Sequence, residues 1–138
     1  MGVPVGIFGM DFGVVIDQVI VKLNQADIRY ALIGGFAMAM RGIQRVTIDL
    51  DFILMLEDLK KADEVLRQSG YSRAFKSENV SHYSGKEPEL GRIDILHAFR
   101  GPSLSMLERA ERIPVTPKVN LPVVQIEDLI GLKIQAAH

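Results

Sequence analysis

At 138 residues the chain has the length of one ordinary domain, and 48% hydrophobic residues suffice to close a single core. Its 16 Lys+Arg nearly cancel 17 Asp+Glu, which excludes a global nucleic-acid footprint or a polybasic membrane anchor, while leaving room for a local basic patch. The absence of cysteine excludes disulfide staples and thiolate metal sites, so any metal must sit on carboxylates or His, and it fits a reducing cytoplasm.

The opening MGVPVGIFGM lacks the basic stretch of a signal peptide, and Asp11 and Asp17 interrupt it before it could span a bilayer. A soluble, unprocessed, cytoplasmic protein is expected. Phe12, Val15, Ile16, Val19, Ile20 and Leu23 recur at helical spacing, although their Val/Ile content also tolerates a strand. YALIGG followed by FAMAMRG reads as strand, tight turn and short helix ending at Gly42. TIDLDFILML is a strand too continuously apolar after Asp51 for a surface position, and it is expected centrally in a sheet.

In EDLKKADEVLRQSG, Leu59, Ala62, Leu66 and Gly70 outline an amphipathic helix with a charged outer face. A polar stretch from Tyr71 through Leu90, with a turn near Gly85 and Pro88, leads into a second strand, RIDILHAF, which carries one carboxylate, Asp94. A helix around Leu104 to Ala110 follows, then a short extended piece bracketed by prolines, then a final helix opening at or just before Asp128. No internal repeat and no low-complexity linker divides the chain.

Side chains alternate faces along a strand, so Asp49 and Asp51 point the same way and repel each other. Burying both beside Ile48, Leu50, Phe52 and Ile53 costs several kcal/mol unless a cation compensates, and a hard divalent ion with oxygen ligands, Mg²⁺ above all, does so. The plain alternative is a strand end at which both aspartates face water. Gly34-Gly35 ends one strand and starts a helix, where free backbone N–H groups and the helix dipole attract phosphate; its ordinary use is a tight turn needing positive φ. Asp94 is a lone acid between Ile93 and Ile95, where a solitary buried carboxylate is out of place, and beside Asp49 and Asp51 it could complete a two-metal clamp. One metal would then grip a triphosphate and the other would acidify an acceptor hydroxyl, whose proton Asp94 can accept.

With Gly34-Gly35 followed by Arg45-x-Thr47-x-Asp49-x-Asp51, the chain resembles the nucleotidyltransferase superfamily, whose fold DNA polymerase β and kanamycin nucleotidyltransferase share. ALIGGFAMAMRG, RVTIDLDFIL, RIDIL and the late EDLIGLKIQAA are similar to AbiEii/AbiGii-type nucleotidyltransferases, which include toxins of toxin-antitoxin systems. The resemblance implies an α/β domain with a mixed sheet flanked by helices. It implies Gly34 and Gly35 at the phosphates, Asp49 and Asp51 on Mg²⁺ or Mn²⁺, Asp94 as third carboxylate, and Lys133 as the lysine of the late helix. The partners it implies are an NTP, an acceptor hydroxyl on RNA, protein or a small molecule, and an antitoxin protein.

Physically, Lys133 is the only cation in LIGLKIQAA and can reach a phosphate or snorkel into water. Arg45 and Thr47 share the face of the two aspartates, where the guanidinium can bind phosphate or pair with them; Arg41 is a weaker candidate. Phe36 stands where many family members have a small residue, and the lysine helix ends at once where they continue into a further acidic helical segment. The expectation is one domain over residues 1–138 without that C-terminal helical extension. His82, His97 and His138 have no metal-ligand spacing, and His97 reads as a core or strand-end histidine. Two other readings are a non-catalytic nucleotide- or partner-binding module, and a phosphatase with a D-x-D nucleophile. The second leaves Gly34-Gly35 unexplained.

Overall fold

The structure is a computed structural model that describes residues 11–41 and 49–136; the side chains at 38, 39 and 132–136 are outside the described set. Its centre is β2 (Asp49–Met55), fourth of seven strands in the order β3-β4-β5-β2-β1-β7-β6. The central position explains the unbroken apolar run: Phe52, Ile53 and Leu54 are at most 2% exposed, and their strand has a partner strand on each side. β1 (Tyr30–Ile33) pairs antiparallel with β2, and β5 (Arg92–Ala98) pairs parallel with it. β4 (Val80–Gly85) lies antiparallel to β5, with β3 (Tyr71–Lys76) outside it. On the other side β7 (Val119–Val123) runs parallel to β1 and carries β6 (Glu111–Thr116) as the edge. The sheet is therefore mixed, as expected.

The first helical run forms one rod, α1, in three segments: α-helical Phe12–Val15, a π-helical turn over Ile16–Ile20, and α-helical Val21–Gln25. Asp11 caps it by accepting from the Val14 N–H. All six apolar residues that marked this helix in the sequence are buried. α2 (Gly34–Met40) starts directly at Gly34, so the paired glycine forms the helix's first turn instead of a loop before it. α3 (Leu59–Gln68) buries Leu59, Ala62 and Leu66, and Gly70 beyond it has φ 99°, as its C-terminal role requires. α1 and α3 cover one sheet face: the Tyr30 hydroxyl donates to Asn24 on α1, and the Tyr83 hydroxyl donates to Asp63 on α3. Burial, partly offset by Arg112, raises the Tyr30 phenol above its usual range. Burial and the bond to Asp63 do the same for Tyr83.

Two more helices complete the chain. α4 (Gly101–Glu108) packs against β2 and β5, and α5 (Ile126–Ala136) packs against α2. None of the described helices is long and apolar enough to cross a membrane.

Two sequence readings are corrected here. The polar stretch from Tyr71 onward is a hairpin, β3–β4, and the extended piece between prolines is a second hairpin, β6–β7. Five of the six β3 residues are exposed, so an edge strand with water on most of its surface carried no alternating apolar signal.

Candidate active site

The parallel pairing of β2 and β5 sets Asp51 directly opposite Asp94 and Asp49 opposite Arg92. Asp49 and Asp51 alternate with fully buried Leu50 and Phe52, so both acids occupy one face, half-buried. Asp51 and Asp94 hydrogen-bond each other. Among the described residues no group of three His, Asp or Glu side chains is drawn together tightly enough to hold a metal ion; the contact is the Asp51/Asp94 pair, with Asp49 a step along β2.

Burial first, then the charges of Asp94 and Asp49 and the bond to Asp94, push the Asp51 carboxyl up to about 7, against a smaller opposing pull from Arg92. Burial and like charge beside it both disfavour the ionised form of Asp51, a load that a further cation would relieve.

Gly34 shows why the sequence needs glycine there. Its φ is 75°, a left-handed conformation that side chains other than glycine's avoid. A Cβ at this position would also stand 2.2 Å from Asp51 Oδ2. Gly34 thus serves as the tight-turn residue and, beyond that, makes room for the central carboxylate. Gly35 follows in the same first turn. Phe36 is buried and stacks on Phe12 of α1 with ring centroids 5.0 Å apart.

Arg45 and Thr47 lie outside the described residues. Lys133 falls on α5, and its side chain is likewise outside the described set. Arg41 is occupied structurally: it donates to the backbone carbonyls of Val123 and Val124 and pairs with Glu111. His97 is a core histidine, as expected, 3% exposed, with Nε2 at 2.7 Å from Ser81 Oγ and Nδ1 at 2.9 Å from the Glu78 carbonyl.

Two residues at the site carried no chain-spacing signal. His82 places Nδ1 2.6 Å from Asp94 Oδ1, and Arg92 Nη2 lies 3.5 Å from the same oxygen. The alternation in VSHYSG, with Ser81 and Tyr83 buried to one side, would have marked His82 as facing the other way had the stretch been read as a strand.

No protein-family model and no curated protein matches the chain. Solved structures do. A Thermotoga maritima protein assigned as a nucleotidyltransferase, TM1012, matches at 11% identity and TM-score 0.71, over 91% of this chain and 84% of that one. ANT(2'')-Ia, solved in complex with adenylyl-2''-tobramycin, matches at 14% identity and TM-score 0.69, over 91% and 76%. The lincosamide antibiotic adenylyltransferase LnuA, solved with lincomycin, matches at 13% identity and TM-score 0.67, over 88% and 85%. A central β2 flanked by β1 and β5, with Asp51 opposite the β5 acid, is thus carried on the nucleotidyltransferase fold.

Proposed function

We propose that this chain is a metal-dependent nucleotidyltransferase that moves NMP from an NTP to an acceptor hydroxyl. The observation that carries the reading is Asp51, pushed up to about 7 by burial and by the facing Asp94 in a niche that a Cβ at Gly34 would fill. That electrostatic load fits a hard cation with oxygen donors, Mg²⁺ or Mn²⁺, which Asp49, Asp51 and Asp94 would hold. When bound, such an ion supplies charge neutralisation at the triphosphate and acidifies the hydroxyl.

The chain's own groups do the rest. The backbone N–H groups of Gly34 and Gly35 at the start of α2 face phosphate oxygens, Arg45, Thr47 and Lys133 add contacts to them, and Asp94 takes the acceptor's proton. Attack at the α-phosphate forms the new P–O bond and releases pyrophosphate.

Calorimetric titration of Mg²⁺ with each of the four NTPs tests this, comparing wild type with Asp49→Asn plus Asp51→Asn. A triphosphate that binds only with metal, and is lost in the double variant, supports the reading. Absence of binding in wild type overturns it in favour of a non-catalytic partner-binding module of the same fold.

The adenylylated tobramycin on ANT(2'')-Ia and the lincomycin on LnuA support a small-molecule hydroxyl as acceptor. RNA and protein hydroxyls are the other arms of a screen with labelled NTP. The AbiEii/AbiGii-like segments support a toxin role with a protein antitoxin. Growth arrest on expression, abolished by Asp49→Asn plus Asp51→Asn, is the expected result.

A further inference from the structure

The row of partners that joins Asp51 to Asp94 continues across the sheet. Asp94 on β5 faces His82 on β4, and His82 faces Phe75 on β3. In-register partners share a sheet face, so Phe75, His82, Asp94 and Asp51 form one line over four strands. The line is in contact throughout: the Phe75 and His82 rings are stacked at 5.5 Å and 28°, the imidazole meets Asp94 at 2.6 Å, and Asp94 bonds Asp51.

Phe75 is in the line because of a bulge. The pairing steps from Arg73↔Tyr83 to Phe75↔His82, which leaves Ala74 as an extra residue. Without it, alternation would turn Ala74 toward His82 and Phe75 to the opposite face. A large apolar ring that is 50% exposed is held out at the sheet edge to back a histidine.

We propose that His82 is a positioning residue that fixes the orientation of the Asp94 carboxylate, with Phe75 fixing the imidazole plane in turn. What the oriented Asp94 then does rests on the nucleotidyltransferase reading; how His82 holds it does not. An ionised carboxylate only accepts, so the imidazole donates through Nδ1–H, and one tautomer is selected. With Oδ1 engaged by His82 and Arg92, Asp94 loses rotamer freedom and is held toward Asp51 before any ligand arrives. His97 is the internal contrast, since both of its nitrogens are bonded in the core away from the acids.

Long-range ¹⁵N NMR of the imidazoles in the intact chain reads this without turnover. His82 is expected as the Nδ1–H tautomer in wild type and as mainly Nε2–H in Asp94→Ala, with His97 unchanged. In parallel, His82→Leu is expected to weaken Mg²⁺–NTP binding about tenfold and to lower kcat with acceptor KM unchanged. His82→Asn, which keeps a donor near the Nδ1 position, recovers most of the loss, and Phe75→Ala falls in between. A wild-type His82 in the Nε2–H form, or a His82→Leu protein that binds and turns over like wild type, overturns the proposal. If wild type binds no metal–triphosphate, the nucleotidyltransferase reading fails, and the tautomer alone decides whether His82 positions Asp94.

Discussion

The two hairpins that close the sheet are built alike and serve differently. Both β3–β4 and β6–β7 are antiparallel, both lie at an edge, and both contain a register shift, at Arg73/Phe75 and at Pro114/Thr116. Followed inward, the β4 row meets Asp94, whereas the β7 row meets Leu32 on β1. The first hairpin therefore places side chains against the acids. The second is clamped by Arg41, just past the end of α2, through the carbonyls of Val123 and Val124. An edge acquires chemistry from the row it extends, not from its own composition.

Three substitutions sharpen that contrast. Gly34→Ala has the largest expected effect, because it forces a left-handed backbone and drives a methyl into Asp51. A loss of about 3 kcal/mol or more is expected in denaturant unfolding. Combining it with Asp51→Ala should recover part of that loss, and strict additivity of the pair would refute the steric account.

Second comes Asp51→Asn, read against pH. The folded protein binds the Asp51 proton up to about 7 and the unfolded chain only near the usual 3.8, so between those values the folded state carries the extra proton. Wild-type stability should then fall as pH rises from about 4 to 7 and level off above. Asn imitates the protonated acid, so the variant should match wild type near pH 4 and exceed it at pH 8 by roughly 2 kcal/mol, a figure reduced for solvent access to a half-buried group. Mg²⁺ at pH 8 should narrow that gap. Parallel unfolding curves offset equally at all pH values would dismiss the buried-charge argument.

Third, Arg41→Leu should cost about 1 to 2 kcal/mol by leaving two carbonyls and Glu111 without their donor, while metal–NTP affinity stays at the wild-type value. A changed affinity would mean that the β6–β7 side also feeds the site.

The centre of the fold was legible in the residues. β2 and β5 are largely apolar runs whose carboxylates stand out, and their pairing joins Asp51 and Asp94, two of the three acids the sequence had singled out. The first helix and α3 followed from apolar spacing because each buries a single stripe. The edges were not legible, since β3 meets water along nearly its whole length and Pro114 and Pro122 interrupt the β6 and β7 patterns. His82 was passed over for a related reason. Spacing along the chain finds ligands on one helix or loop, whereas His82 reaches Asp94 across a ladder 12 residues away in sequence. Gly34 was noticed for phosphate and turn geometry, and its proximity to Asp51 required the antiparallel register Ile33↔Asp51 to become visible.

The extra residue at Ala74 has a consequence for how this protein can change over generations. Deleting that one codon would set Phe75 directly after Arg73 in plain register with Tyr83 and His82, so the phenyl ring would keep its place beside the imidazole, and every carboxylate and the glycine turn would be untouched. Loss of the bulge residue is thus a change that a lineage could absorb without altering what the edge strand presents to the acids.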